Sequence, residues 1–123
     1  MAKTIMIIDD ERDFQEIYTT MLEGRDYNLI YAYDGEEAMQ TLDDNKPDLI
    51  ILDMIMDMIT GDTFFLHLKG FKEFSHIPVI IISSIPQKQY NNLIGMDQTL
   101  VYLNKTKLTK ERLLEEVDKK LAA

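Results

Sequence analysis

Apolar residues along the chain gather in five short runs, separated by stretches with helical spacing. Thr4 to Ile8, Leu49 to Leu52 and Ile77 to Ile82 are almost wholly apolar. Unbroken runs of this length read as strands buried on both faces, as in a parallel sheet covered by helices. Tyr27 to Tyr33 and Leu100 to Leu103 are shorter or more mixed strands with aromatic and β-branched content. Between the first two runs, Phe14, Ile17, Tyr18, Met21 and Leu22 recur at helical spacing, with Gly24 as a stop. Asp34 to Glu37 predicts a capping box, with Glu37 reaching back, for a helix that buries Ala38 and Leu42 and runs to about Asp44. Thr60 caps a third helix with Phe64, Phe65 and Leu68, ended by Gly70. Gln87 to Met96 has a weak helical period. Thr109 opens a last helix with Leu113, Leu114, Val117 and Leu121 on one face and Lys119-Lys120 in its final turn, which suits the helix dipole.

Strand and helix therefore alternate five times, which predicts an α/β fold with helices on both faces of a five-stranded parallel sheet. Right-handed crossovers leave few topologies. The expected one is the flavodoxin-like (βα)5 doubly wound arrangement in order 2-1-3-4-5, with its switch point between strands 1 and 3. Those two strands end in Asp9-Asp10 and in Asp53. Strands 4 and 5 bring Ser83 and Lys105 to the same edge.

That placement changes how each residue reads. Alone, Asp53 is a turn residue, Asp9 and Asp10 are helix caps, Ser83 is an idle hydroxyl and Lys105 is a solvated charge. Together, three carboxylates at one edge repel each other, so they either take up protons or hold a cation. Oxygen-only ligands suit Mg²⁺, which keeps waters and accepts a phosphate oxygen. Lys105 and Ser83 supply donors for phosphoryl oxygens. Asp53 can then act as a carboxylate nucleophile that forms an acyl phosphate.

Composition narrows the classes. The 123 residues suit one domain over 1–123, and 46% are apolar, enough for a core without disulfides. There is no Cys, so thiol chemistry and a disulfide scaffold are excluded, which fits a cytoplasmic setting. The formal net charge of −9 argues against direct nucleic-acid binding. No apolar run is long enough to cross a membrane.

With Ile7-Ile8-Asp9-Asp10-Glu11, Pro47 to Asp53, Gly61, Ile77 to Ser84 and Tyr102-Leu103-Asn104-Lys105 in order, the chain resembles a response-regulator receiver domain of two-component signal transduction, in the CheY-like superfamily. The resemblance covers essentially the whole chain. It implies that Asp53 accepts a phosphoryl group from a histidine kinase or phosphotransfer protein. Asp10 would ligate the metal directly, Asp9 would be its second acid, and the Ile55 backbone carbonyl would complete the protein ligands. Ser83 would bind and report the phosphoryl group, Lys105 would pair with Asp53 and then with that group, and Tyr102 would change rotamer between states. Residue by residue, Tyr102 reads equally as packing in an edge strand. The implied output surface is the fourth helix, last strand and last helix, acting on a partner protein or on an output domain. None follows Ala123, so the chain is either a stand-alone regulator or part of a longer protein.

Some positions depart from the family. Asp57-Met58 stand where a Pro-Gly pair is usual, with Asp57 expected to face solvent. Thr60 replaces an acid, and Gln98-Thr99 replace small residues. Thr106 replaces a proline usually joined by a cis bond. A cis bond to a residue other than proline costs about 2.5–4 kcal/mol, so a trans Lys105-Thr106 bond is expected. Ile55 and Ile85 flank the acceptor and are bulky and apolar, which predicts slow self-dephosphorylation. His67 and His76 read as surface or satisfied histidines, not ligands. The methionines at 54, 56 and 58 read as adaptable packing or a partner surface.

Rival readings are weaker on the residues. An aspartyl-phosphate phosphatase needs an acid/base two residues past the nucleophile, where Ile55 stands. A flavodoxin needs a phosphate-cradling loop after the first strand, where Asp9-Asp10-Glu11 would repel phosphate. A degenerate receiver serving as a scaffold is the remaining alternative.

Overall fold

In the computed structural model, residues 2–55 and 60–122 are described. Five parallel strands are β1 (Lys3–Ile8), β2 (Tyr27–Ala32), β3 (Leu49–Leu52), β4 (Val79–Ser83) and β5 (Val101–Asn104). They lie in the order β2-β1-β3-β4-β5, as expected from the alternation. The helices are α1 (Arg12–Met21), α2 (Gly35–Asn45), α3 (Gly61–Lys69), α4 (Asn91–Met96) and α5 (Lys110–Leu121).

Side-chain alternation along the central strands divides the core in two. Ile5, Ile7, Leu49, Ile51, Ile80 and Ile82 pack with Tyr18 of α1, with Leu22 at its C-terminal end, and with Leu113 and Val117 on α5. Met6, Ile8, Ile50, Leu52, Val79 and Ile81 face the other way, onto Ala38, Leu42, Phe64, Phe65, Leu68 and Leu93. Every residue of β3 and β4 is buried, which is why those runs lack a polar alternation.

Local chemistry differs from expectation in several places. Ile17 is 40% exposed, so the apolar stripe of α1 is narrower than its spacing suggested. The Asp34 side chain accepts from the Glu37 amide at 2.8 Å, but the Glu37 carboxylate accepts from the Tyr33 amide at 3.0 Å, one residue before the cap. Thr60 precedes α3 without a side-chain cap bond, and its hydroxyl donates instead to Asp62. The weakly periodic segment splits into a 3-10 turn (Gln87–Tyr90) and the six-residue α4. The last strand begins at Val101, not Leu100, and includes Asn104. Thr109 caps α5 through its hydroxyl as predicted, accepting from the Arg112 amide at 3.1 Å. Among the described residues no peptide bond is cis, so Lys105-Thr106 is trans as expected. The Asn104 side chain accepts from the Thr106 amide at 2.9 Å and fixes that turn.

Gly61 closes α3 against the backbone below it. A Cβ at this position would lie 2.5 Å from the Asp53 carbonyl oxygen and 2.6 Å from Met54 Cα. Neither is a flexible side-chain end, so relief requires a backbone shift. Gly61→Ala is expected to cost about 1–3 kcal/mol, the usual range for forced overpacking, read as a lowered urea midpoint with an unchanged slope. An unchanged midpoint would show that the helix start can slide.

Candidate functional site

The parallel ladder delivers the acids. Ile8 pairs with Leu52, so the residues that follow them leave the sheet side by side. The Asp53 amide donates to the Ile8 carbonyl at 2.9 Å, and the Asp9 amide donates to the Ala32 carbonyl at 3.1 Å. These bonds hold both acids in the extended line of the sheet. Asp9 and Asp53 are buried, while Asp10 and Glu11 are exposed. Oxygens of Asp9, Asp10, Glu11 and Asp53 all come within 4.8 Å of one another. Asp9, Asp10 and Asp53 are the three acids expected; Glu11 is an addition.

Lys105 enters this cluster from the end of β5. Its ammonium lies 2.8 Å from Glu11 Oε1, 3.0 Å from Asp9 Oδ2 and 3.4 Å from Asp53 Oδ2. The side chain is buried, with its Nζ 4.1 Å from the centre of the Phe14 ring. Burial alone would lower the Lys105 pKa, but the Glu11, Asp9 and Asp53 carboxylates outweigh it and hold the group above its ordinary value. For Asp53 the balance runs the other way. Burial, then the Asp9 charge, raise its carboxyl from 3.8 to about 6 despite Lys105 and the Ile55 amide. That amide donates to Asp53 Oδ1 at 3.3 Å.

Asp9 has a supporting layer that the sequence did not single out. The buried Tyr18 hydroxyl donates to Asp9 Oδ2 at 3.0 Å, and the Glu11 amide donates to Asp9 Oδ1 at 2.8 Å. Burial, followed by the Asp9 charge, pushes the Tyr18 phenol far above its ordinary range, so it stays a donor. Gln15 Nε2 donates to the carbonyls of Asp9 at 2.8 Å and Ala32 at 3.0 Å, tying the ends of β1 and β2 together. A polar Gln15 on the inward side of α1 was the available sign of such a tie. Tyr18 gave none, because a tyrosine in an apolar stripe is ordinary packing.

On the far side, the buried Ser83 hydroxyl accepts from the Ile85 amide at 3.1 Å. The Tyr102 hydroxyl lies 3.2 Å from the Ser83 carbonyl, and it also donates to the Ile85 carbonyl. Tyr102 is therefore bonded to the segment that carries Ser83. Ile55, two residues past Asp53, is 49% exposed, and Met54 is buried. Met56, Asp57 and Met58 lie outside the described residues. His76 is exposed, and the His67 ring packs tilted against Phe71, with 4.8 Å between ring centres; neither belongs to the acidic cluster.

A family model for the response regulator receiver domain matches residues 5–118. The chain belongs to that family. This receiver is 38% identical over 96 residues to the response regulator GtcR of Aneurinibacillus migulanus, spanning 78% of this chain but 38% of GtcR. It is 28% identical over 105 residues to the polar-differentiation response regulator DivK of Brucella anthropi, covering 85% of each. The fold matches a response regulator structure from Chloroflexus aurantiacus with a TM-score of 0.89, at 24% identity and full coverage of both chains. Receiver domains of two-component systems are signalling modules, not enzymes in the ordinary sense, and they bind Mg²⁺ as a family. The all-oxygen cluster in this receiver is compatible with that ion. Among the described residues no helix is long and apolar enough to cross a membrane.

Proposed function

We propose that this receiver takes a phosphoryl group onto Asp53 from a histidine kinase or phosphotransfer protein in the cytoplasm and changes shape in response. The observation that carries this reading is one buried carboxylate, Asp53, set at the end of β3 between a cluster of acids and a lysine. Asp53 attacks phosphorus; the new O–P bond forms as the bond to the donor's imidazole nitrogen breaks, and the imidazole leaves with the electron pair. Asp9, Asp10 and Asp53, with the Ile55 carbonyl, are the groups that would hold Mg²⁺. The ion supplies charge neutralisation at the phosphoryl oxygens. Lys105 offers a second positive charge to the same oxygens, and Ser83 a hydroxyl donor. The Tyr102 contact with the Ser83 segment provides a route by which that hydroxyl's movement reaches β5. The output surface is then α4, β5 and α5, facing a partner protein or an output domain.

Incubation with acetyl phosphate and Mg²⁺, followed by intact mass, tests the reading. A gain of one phosphoryl group in the wild type, lost in Asp53→Asn, is the expected result. No gain under any condition would overturn it in favour of a scaffold. Release should be slow, because Ile55 and Ile85 present apolar bulk where attacking water must approach. Inorganic phosphate should appear over minutes or longer; complete loss within seconds would contradict that shielding.

A further inference from the structure

Glu11 is the N-cap residue of α1, yet its side chain makes no cap bond. Glutamate is not among the favoured caps, so helix termination does not account for it. Its carboxylate is instead the nearest acceptor to Lys105, at 2.8 Å against 3.4 Å for Asp53. One turn later, Phe14 puts its ring 4.1 Å from the same ammonium. Glu11 and Asp53 accept hydrogen bonds from Lys105, Asp9 pairs with it by charge at 3.0 Å, and the Phe14 ring lies against the same ammonium. Two of these four neighbours therefore come from the first turn of α1, outside the acids expected at the strand ends. Glu11 is also mostly in solvent, with 57% of its side chain exposed, so its ion pair is weak and easily exchanged.

We propose that Glu11 and Phe14 are positioning residues for Lys105. Together they form a seat that holds the ammonium on the Asp9 side of the site until an anion at Asp53 draws it across. This role rests on the phosphoacceptor reading of Asp53. Glu11 and the incoming phosphoryl oxygens compete for one cation, so removing the Glu11 charge favours the bound state. Phe14 sets where the lysine waits, without competing for its protons.

Two measurements test the seat. In proton NMR of the metal-free protein, the ε-methylene of Lys105 should be shielded by the Phe14 ring. The shielding should vanish in Phe14→Leu and fall when Mg²⁺ and beryllofluoride, a phosphoryl mimic, are added to the wild type. Unshielded ε-protons in the wild type, or shielding unchanged by a bound mimic, would overturn the proposal. In the second measurement, Glu11→Gln should tighten beryllofluoride binding by about 3–10-fold, and that gain should disappear in a Lys105→Met background. An equal gain without Lys105 would mean that Glu11 acts through its charge alone, and the proposal would fail. The shielding experiment needs no Lys105 variant, so it decides the matter even where that variant folds poorly. A wild type that takes neither phosphoryl group nor beryllofluoride would defeat the phosphoacceptor reading instead, while the metal-free shielding would still report on the seat.

Discussion

Asp53→Asn should stabilise the metal-free protein at pH 7–8, by about 2–3 kcal/mol at 1.36 kcal/mol per unit of pKa difference. The cause is the raised Asp53 carboxyl, at about 6 in the folded chain against 3.8 ordinarily, set by burial and the neighbouring Asp9 charge. A folded state that binds this proton more tightly than the unfolded state gains stability from the group below its unfolded pKa. The gain is lost as pH rises through the folded value. Above pH 6 the ionised carboxylate therefore opposes folding, and asparagine removes that opposition. Urea unfolding from pH 4 to pH 8 checks this. Wild type and Asp53→Asn should converge near pH 4 and separate above pH 6, with the variant the more stable. Saturating Mg²⁺ should narrow the separation, since a bound cation repays the repulsion only where the acid is present. A less stable variant at pH 8 would mean that Lys105 already compensates for the buried charge.

Lys105→Met should produce the largest loss, about 3–5 kcal/mol at pH 8, the range for breaking a buried ion pair from one side. The ammonium is within 3.0 Å of Asp9 and 3.4 Å of Asp53, both buried, and methionine would leave those carboxylates facing each other. The deficit should shrink as pH falls towards 5, because Asp53 then takes up a proton. It should also shrink in the double variant with Asp53→Asn, by more than the two single effects add. Chemical denaturation of the four-protein set measures this coupling. Additive effects would show that Lys105 acts through packing, for example on Phe14, and not through the acids.

The two expected effects have opposite signs because they act on the same buried charges. Asp53 is costly where it stands, Lys105 offsets part of that cost, and Asp9 is held by Tyr18 and Gln15 in a position that adds to it. A cation or a phosphoryl group at this edge would change each of these balances.

Much of this was legible in the chain. The apolar runs at Thr4 to Ile8, Leu49 to Leu52 and Ile77 to Ile82 could be buried only between helices, and their short spacing allowed few windings. Strand order and the meeting of Asp9, Asp10, Asp53, Ser83 and Lys105 at one edge followed, because a parallel sheet sends all its carboxyl ends the same way. The capping at Thr109 was equally local. The partners of Lys105 were not legible. Glu11 looked like one more acid and Phe14 like one more core residue, since helical periodicity states which side of α1 faces inward but not which atom it meets. The roles of Tyr18 and Gln15 depend likewise on how α1 lies across the ends of β1 and β2. The pattern of residues by itself determined the sheet, its order and the gathering of charges, because backbone hydrogen bonding and apolar burial are periodic. Tertiary packing alone decided which carboxylate holds the lysine and which one stays reluctant to ionise. Those outcomes turn on separations of a few tenths of an ångström and on solvent exclusion, which no linear spacing encodes.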